Sequence, residues 1–143
     1  MTSPIIVLDT SVIVKWFRQE EELARLALAL RERYLQGQIT VAVPMLLIYE
    51  LANVLRTKRE LTTEQVQEAM ESLLDMGLDW IEPSAVAMRR AVSLAREDGI
   101  TVYDATFVAV AETLGAALVT ADEQLTRRLH SLSYVRHLGE SCQ

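Results

Sequence analysis

Cysteine is almost absent from this chain, and its scarcity limits how the fold can be stabilised. The only cysteine among 143 residues is Cys142, so no disulfide can form within the chain and no cysteine cluster can bind zinc. Two histidines, His130 and His137, stand near no other set of metal-ligand residues, which argues against a zinc site. This usage is typical of a reducing compartment, and we expect a cytoplasmic protein.

Long hydrophobic runs and an excess of positive charge are also missing. No apolar stretch approaches the ~20 residues of a transmembrane helix, and the first apolar run ends at Asp9 without a basic segment before it. We therefore expect neither a membrane span nor a signal peptide. The net charge of −6 argues against a basic coat protein for nucleic acids. It does not exclude a nuclease, because carboxylates that hold a metal contribute to such a surplus.

The hydrophobic pattern predicts strands that alternate with helices along one domain, residues 1–143. Short apolar runs predict buried strands at residues 4–9, 39–44 and 116–122, with a short strand at 78–83 and a last edge strand at 134–138. Amphipathic segments between them predict helices at residues 10–17, 20–36, 45–59, 62–77, 84–99, 105–115 and 123–132. The segment "ITVYD", residues 100–104, is predicted to be extended. The pattern indicates an α/β protein with a mostly parallel sheet.

Four acidic residues are predicted to lie at one edge of this sheet. Asp9 and Asp122 end apolar strands, and the carboxyl ends of parallel strands share one edge. Asp104 stands where a helix begins, and a right-handed crossover begins its helix at the same edge. Glu50 is the only acid in the helix over residues 45–55 and interrupts its apolar face.

A divalent cation would stabilise such a cluster. Two carboxylates ~5 Å apart repel each other by roughly 3 kcal/mol at an effective dielectric constant of 20. Ligands that are all oxygen select Mg²⁺ or Mn²⁺ over Zn²⁺, and the waters that Mg²⁺ retains can attack a phosphodiester. Each acid also has a structural alternative, since Asp9, Asp104 and Asp122 can serve as helix N-caps and Glu50 can reach solvent.

Three segments of the chain match a known family. They are "IIVLDTSVIVKWF" near the start, "PMLLIYELANVLR" in the middle and "LAREDGITVYDATFVAVAETLGAALVTADEQL" late in the sequence. In these segments the chain resembles the PIN-domain ribonucleases of the VapC toxin type. The resemblance implies a PIN-like three-layer α/β/α domain with a central, mostly parallel sheet. Two features depart from the family pattern: the acidic balance, and the residues after Leu129, which carry no family motif.

The resemblance also implies a function, an endoribonuclease that hydrolyses RNA with Mg²⁺ or Mn²⁺. Its catalytic, metal-binding residues would be Asp9, Glu50, Asp104 and Asp122, with Ser11 and Thr120 as supporting hydroxyls. Turn capping or sheet packing is the alternative role for these two hydroxyls. The resemblance further implies that the chain is the toxin of a toxin–antitoxin pair, with a cognate antitoxin as partner, and that it forms a homodimer.

Two other classes of function remain as alternatives. A phosphatase of the haloacid-dehalogenase kind requires a second Asp two residues after the first, where this chain has Ser11. A PIN-like RNA-processing or RNA-binding module would keep the fold without being a toxin.

Trp16 is expected in the core or in a dimer interface, and the apolar faces of residues 23–30 and 46–55 are expected to contact a second copy or an antitoxin helix. Basic residues that follow the site acids are the candidates for RNA contact: Lys15, Arg18, Arg56, Lys58, Arg59, Arg127 and Arg128.

Overall fold

The computed structural model describes residues 3–141, and its centre is a five-stranded parallel β-sheet. The strands are β1 (Ile5–Leu8), β2 (Thr40–Pro44), β3 (Asp79–Ile81), β4 (Ala117–Thr120) and β5 (Val135–His137). Their spatial order is β3-β2-β1-β4-β5, and each of the four described strand pairs is parallel. The predicted parallel sheet is confirmed, including its last edge strand.

Helices flank the sheet in the three-layer α/β/α arrangement that the resemblance implied. Within residues 3–141 they are α1 (Thr10–Phe17), α2 (Ala24–Leu35), α3 (Leu46–Arg56), α4 (Thr63–Asp75), α5 (Ala85–Asp98), α6 (Val102–Leu114), α7 (Glu123–Arg128) and α8 (Leu138–Ser141). Helix α6 packs on β1, β2 and β4 and carries α5 on its other side, whereas α1 contacts α2 and α3. None of these described helices is long and apolar enough to cross a bilayer.

Strand β1 lies in the middle of the sheet, and its position determines where a crevice forms. On one side it pairs with β2, and on the other it pairs with β4, with Leu8 opposite Val119. Leu8 is fully buried and Val119 nearly so, as expected for strands covered by helices on both faces. The chain order reverses between β1 and β4, and such a reversal leaves a crevice beyond the carboxyl ends of the strands. Asp9 and Asp122, which follow these two strands, therefore meet at this crevice.

Several predicted boundaries are wrong, each for a local reason. Residues 102–104 are helical rather than extended, because Thr101 caps α6: its Oγ1 accepts a hydrogen bond from the Asp104 N–H (3.0 Å) and the helix begins at Val102. Helix α2 begins only at Ala24, because a turn precedes it and Leu23 has a left-handed backbone (φ 65°). Helix α7 ends at Arg128 rather than residue 132, and Leu138 begins α8 instead of ending the last strand.

Trp16 belongs to the core. Its side chain is almost fully buried, and its Nε1–H donates to the backbone carbonyl of Ala27 (2.8 Å), which joins α1 to α2. Leu30 is also buried, so much of the apolar face of residues 23–30 packs within the chain. By contrast, Met45 and Tyr49 at the start of α3 remain exposed. Helix α3 thus leaves Tyr49 exposed, and α2 leaves Leu35 exposed beyond residues 23–30.

Candidate active site

A cavity of about 460 Å³ at the carboxyl edge of the sheet is lined by Glu21 and by the four predicted acids, Asp9, Glu50, Asp104 and Asp122. The four predicted acids come from four different elements, namely the β1–α1 junction, the middle of α3, the first turn of α6 and the β4–α7 junction. The structure thus brings together all four of the acids that the sequence pattern assigns to one edge.

Asp9 is the most buried of the four, with 6% of its surface exposed. Its Oδ1 accepts a hydrogen bond from the Thr10 N–H (2.8 Å), and its Oδ2 accepts from the hydroxyls of Ser11 (2.9 Å) and Thr120 (2.8 Å). Burial raises the pKa of Asp9; the hydrogen bonds from Thr120, Ser11 and Thr10 oppose this rise, and the charge of Asp122 adds to it. Three of the roughly four lone-pair sites of this carboxylate are in use, which fixes its orientation and leaves room for a further partner.

Ser11 and Thr120 join the ends of β1 and β4 around Asp9. Their hydroxyl oxygens lie 3.2 Å apart. Ser11 Oγ accepts the Ala121 N–H (2.9 Å), and Thr120 Oγ1 accepts the Asp122 N–H (3.1 Å). Both hydroxyls therefore hydrogen-bond to the Asp9 carboxylate and stabilise the turn after β4, and their role as supporting residues of a catalytic site stays a prediction.

Glu50 is half-buried on α3, and a hydroxyl from the first residue of α1 fixes its carboxylate. Thr10 Oγ1 donates to Glu50 Oε1 (2.7 Å). Burial raises the pKa of Glu50; the Thr10 hydrogen bond opposes the rise, and the charges of Asp9 and Asp104 add to it. No sequence signal links Thr10 to a residue forty positions later.

Asp104 and Asp122 differ in their helix-capping roles. Asp104 is not an N-cap, because Thr101 takes that position, so the structural alternative for Asp104 is wrong. Asp122 does cap α7, through Oδ1 and the Leu125 N–H (3.1 Å). Burial, with the charges of Asp9 and Asp122, raises the pKa of Asp104 to about 6, against a smaller lowering by the Thr101 hydrogen bond. Ionisation of the Asp104 carboxyl therefore costs free energy in the folded protein.

Of the cations predicted to contact RNA, Lys15 and Lys58 line the cavity of the four acids. Arg18 does not, because its guanidinium is buried against the carboxylates of Glu20 and Glu60. Arg128 borders a neighbouring pocket and donates to the Gly99 carbonyl (3.0 Å) at the end of α5. The cavity therefore combines carboxylates with two ammonium groups.

A preformed metal centre is not present among residues 3–141, since no three His, Cys, Asp or Glu side chains form a group that could hold an ion as they stand. The donor set of the cavity is nonetheless entirely oxygen, which suits Mg²⁺ or Mn²⁺. Burial and the charges of Asp9 and Asp122 raise the pKa of Asp104, so a closed group of ionised ligands is unfavourable when no counter-charge is present.

These features define a class: a parallel α/β protein with a cluster of carboxylates where the strand order reverses. The sequence model of the PIN domain matches residues 6–129, and the chain belongs to the PIN-domain family. The match ends where the sequence loses its family motifs. A curated relative, ribonuclease VapC3 of Pyrobaculum aerophilum, is 30% identical over 131 residues, which cover 89% of this chain and 96% of the relative.

Solved structures share the fold. A crystal structure of PAE2754 from Pyrobaculum aerophilum has a TM-score of 0.69 and 20% identity, and the alignment covers 95% of this chain and 85% of that one. A toxin–antitoxin complex from Klebsiella pneumoniae has a TM-score of 0.67 and 19% identity, covering 91% and 94%. The resemblance to VapC-type PIN domains expected from the sequence is therefore confirmed.

Proposed function

We propose that this protein is a divalent-metal-dependent endoribonuclease and the toxin of a VapBC-type toxin–antitoxin pair. The observation that carries the proposal is the convergence of four carboxylates, from four separate elements, on one cavity that also contains two lysines. Similarity over 89% of the chain to a ribonuclease named VapC3 supports RNA as the class of substrate.

Asp9, Glu50, Asp104 and Asp122 are the residues that would hold Mg²⁺ or Mn²⁺. Burial, together with the charges of neighbouring carboxylates, raises the pKa values of Asp9, Glu50 and Asp104, and a bound cation would offset the cost of keeping these carboxylates ionised. The cation supplies Lewis-acid activation of a water molecule and offsets the charge of the phosphate in the transition state.

The protein groups contribute in ways that follow from their surroundings. Asp9, restrained by three donors, supplies a carboxylate of fixed orientation. We assign Glu50 to accept the proton of the attacking water, or to complete the ligand set. Its Oε2 accepts no hydrogen bond from the residues that the structure describes, and burial raises the pKa of Glu50, which makes it a better proton acceptor than an exposed carboxylate. Thr10 keeps the Glu50 side chain oriented toward the cavity.

Cleavage of a 5′-labelled single-stranded RNA tests the proposal. The wild-type protein is expected to cut the RNA with Mg²⁺ or Mn²⁺ and to stop when EDTA is added. Asp9→Asn should abolish cleavage, because it removes a charge that the cation requires. The matched control is Asp79→Asn, which makes the same change at an exposed position on the edge strand β3.

Parallel purification of the two variants separates the activity of this protein from a contaminating nuclease. Cleavage that survives EDTA, or equal cleavage by the Asp9→Asn and wild-type preparations, would contradict the proposal. Calorimetric titration with Mn²⁺ adds a readout that does not depend on activity. RNA binding without metal binding or cleavage would instead support the RNA-binding module.

We also propose that the chain forms a homodimer and binds a cognate antitoxin. Large apolar side chains stay exposed at the starts of α3 and α6, namely Met45, Tyr49, Val102 and Tyr103. A similar fold occurs in the toxin–antitoxin complex from Klebsiella pneumoniae. Sedimentation over a range of concentrations tests the dimer, and a profile that stays monomeric would contradict it. Growth arrest on induction, relieved by co-expression of the adjacent upstream gene, tests the antitoxin.

A further inference from the structure

Lysine is rare in this chain, and both lysines lie at the same place. The sequence has fourteen basic residues, of which Lys15 and Lys58 are the only lysines and the remaining twelve are arginines. Lys15 belongs to α1 and Lys58 follows the end of α3, yet both line the cavity of the four acids. A lysine ammonium is a compact charge with three donors on a flexible stem, which suits a phosphate oxygen.

A single carboxylate, that of Glu21, bridges the two lysines. Lys15 Nζ lies 3.2 Å from Glu21 Oε1, and Lys58 Nζ lies 3.8 Å from Glu21 Oε2. The side chains of Lys15, Glu21 and Lys58 are 10%, 24% and 31% exposed, so the bridge is shielded but remains accessible from the cavity. Two cations thus face two oxygens of one anion.

The loop that supplies Glu21 is residues 18–23, between α1 and α2. Arg18 anchors its beginning through Glu20 and Glu60, and Leu23 ends it in a left-handed backbone conformation. The Glu21 N–H donates to the Arg18 carbonyl (3.1 Å), which closes the turn. The loop is therefore held independently of the Glu21 carboxylate, and this side chain can leave the lysines without loss of the turn.

The charge of the cavity explains why such an anion needs to be displaced. Five carboxylates and two ammonium groups line it, so an approaching RNA phosphate meets an excess of negative charge. The two lysines are the cations of the cavity, and the single charge of Glu21 offsets part of their positive charge while no substrate is bound. An RNA phosphate presents two unesterified oxygens, as a carboxylate does, and can replace Glu21 on the same pair of ammonium groups.

We propose that Lys15 and Lys58 form a subsite for a backbone phosphate of RNA, and that the Glu21 carboxylate is an internal counter-ion which this phosphate displaces. The inference rests on the proposed ribonuclease function. Glu21 then makes the subsite more selective among ligands. Only a ligand whose anionic group contacts both lysines compensates for the loss of their contacts with Glu21.

Binding of a fluorescein-labelled single-stranded RNA, measured by anisotropy in an Asp104→Asn background that is expected not to cleave, tests the subsite. Lys58→Gln should raise Kd about tenfold. It should also make the slope of log K against log salt shallower by about 0.7, the value for one lost phosphate contact. Lys58→Arg should restore most of the affinity. The matched control is Arg25→Gln, an exposed cation of α2 that does not line the cavity.

Glu21→Gln distinguishes a displaced counter-ion from a structural anchor. The displaced counter-ion predicts tighter RNA binding, with Kd lower by a factor of about three to five, because the phosphate no longer competes with a charge. The control is Glu22→Gln, its exposed neighbour in the same loop. Unchanged or weaker binding by Glu21→Gln, relative to the background, would overturn the counter-ion assignment.

Lysine acetylation followed by mass spectrometry tests the subsite without a substitution at either lysine. Because the chain has two lysines, two modified peptides report on the whole subsite, and the α-amino group serves as an internal reference. Saturating RNA should slow acetylation of Lys15 and Lys58. Unchanged acetylation and an unchanged salt slope in Lys58→Gln would reject the subsite, while metal-dependent cleavage by the wild type would leave the ribonuclease proposal standing. Absence of RNA binding by the wild type would reject both.

Discussion

Replacement of Asp104 by Asn should stabilise the metal-free protein. The pKa of Asp104 is raised from 3.8 to about 6 by burial and by the charges of Asp9 and Asp122. A tenfold change in an acid dissociation constant corresponds to about 1.4 kcal/mol. If the whole pKa difference is converted in this way, the ionised form of Asp104 destabilises the folded state by about 3 kcal/mol. Solvent screens this half-buried carboxyl, which reduces the expected cost to about 1–2 kcal/mol. Asn has nearly the same size and no charge, and Asp104→Asn should recover much of that cost.

The sign follows from proton linkage. The folded state holds the proton of Asp104 up to a higher pH than the unfolded state does, so wild-type stability falls as pH rises from about 4 to about 6. Urea unfolding at pH 7.5 in EDTA should therefore show Asp104→Asn to be more stable by about 1–2 kcal/mol. The difference should shrink as pH falls through 6 and vanish near pH 4. Asp79→Asn, the exposed control, should show no such trend.

Metal should reverse this order of stability. A cation at 100 times its Kd adds about 2.7 kcal/mol to the free energy of unfolding of the protein that binds it. Mn²⁺ should therefore raise the free energy of unfolding of the wild type and leave that of Asp104→Asn nearly unchanged. With Mn²⁺ the wild type should be more stable than the variant. A variant that is no more stable than the wild type at pH 7.5 without metal, or a difference that does not vary with pH, would refute the reasoning.

Three further substitutions test two hydrogen bonds and one strained backbone position. Thr120→Val removes a buried hydroxyl that donates to Asp9, so we expect a loss of about 1–3 kcal/mol in urea unfolding and weaker Mn²⁺ binding by calorimetry. Trp16→Phe removes the hydrogen bond to the Ala27 carbonyl and should cost about 1–3 kcal/mol in urea unfolding, without altering Mn²⁺ affinity. Gly115→Ala places a side chain at φ 63° with open space around it. A thermal melt should therefore show a loss of stability of about 1 kcal/mol that comes from backbone strain alone. Unchanged stability in any of these variants would contradict the corresponding contact or strain.

Local chemistry in the sequence determined most of the elements. Buried parallel strands read as continuous apolar runs, and β1, β2 and β4 were identifiable for that reason. Gly99 and Gly115 end α5 and α6 in left-handed conformations, which glycine adopts without steric cost. The start of α6 was also readable, because Thr101 followed three residues later by Asp104 is a helix-start pattern. The extended segment predicted there overlooked a signal that was present.

Much of the proposed site also follows from the sequence. Asp9 and Asp122 are placed by strand ends, since parallel strands deliver their carboxyl ends to one edge. Glu50 was identifiable as a lone charge in an apolar helix. Their roles as catalytic and metal-binding residues stay predictions until cleavage and calorimetry are measured.

Tertiary structure alone decided which side chains meet. Thr10 reaches Glu50 across forty residues, Thr120 reaches Asp9 across more than a hundred, and Glu21 joins Lys15 to Lys58. Helix caps and strand patterns depend on neighbours within a few residues, so they can be read along the chain. Contacts between distant side chains depend on how whole elements pack, and that packing is a property of the assembled core rather than of any short segment.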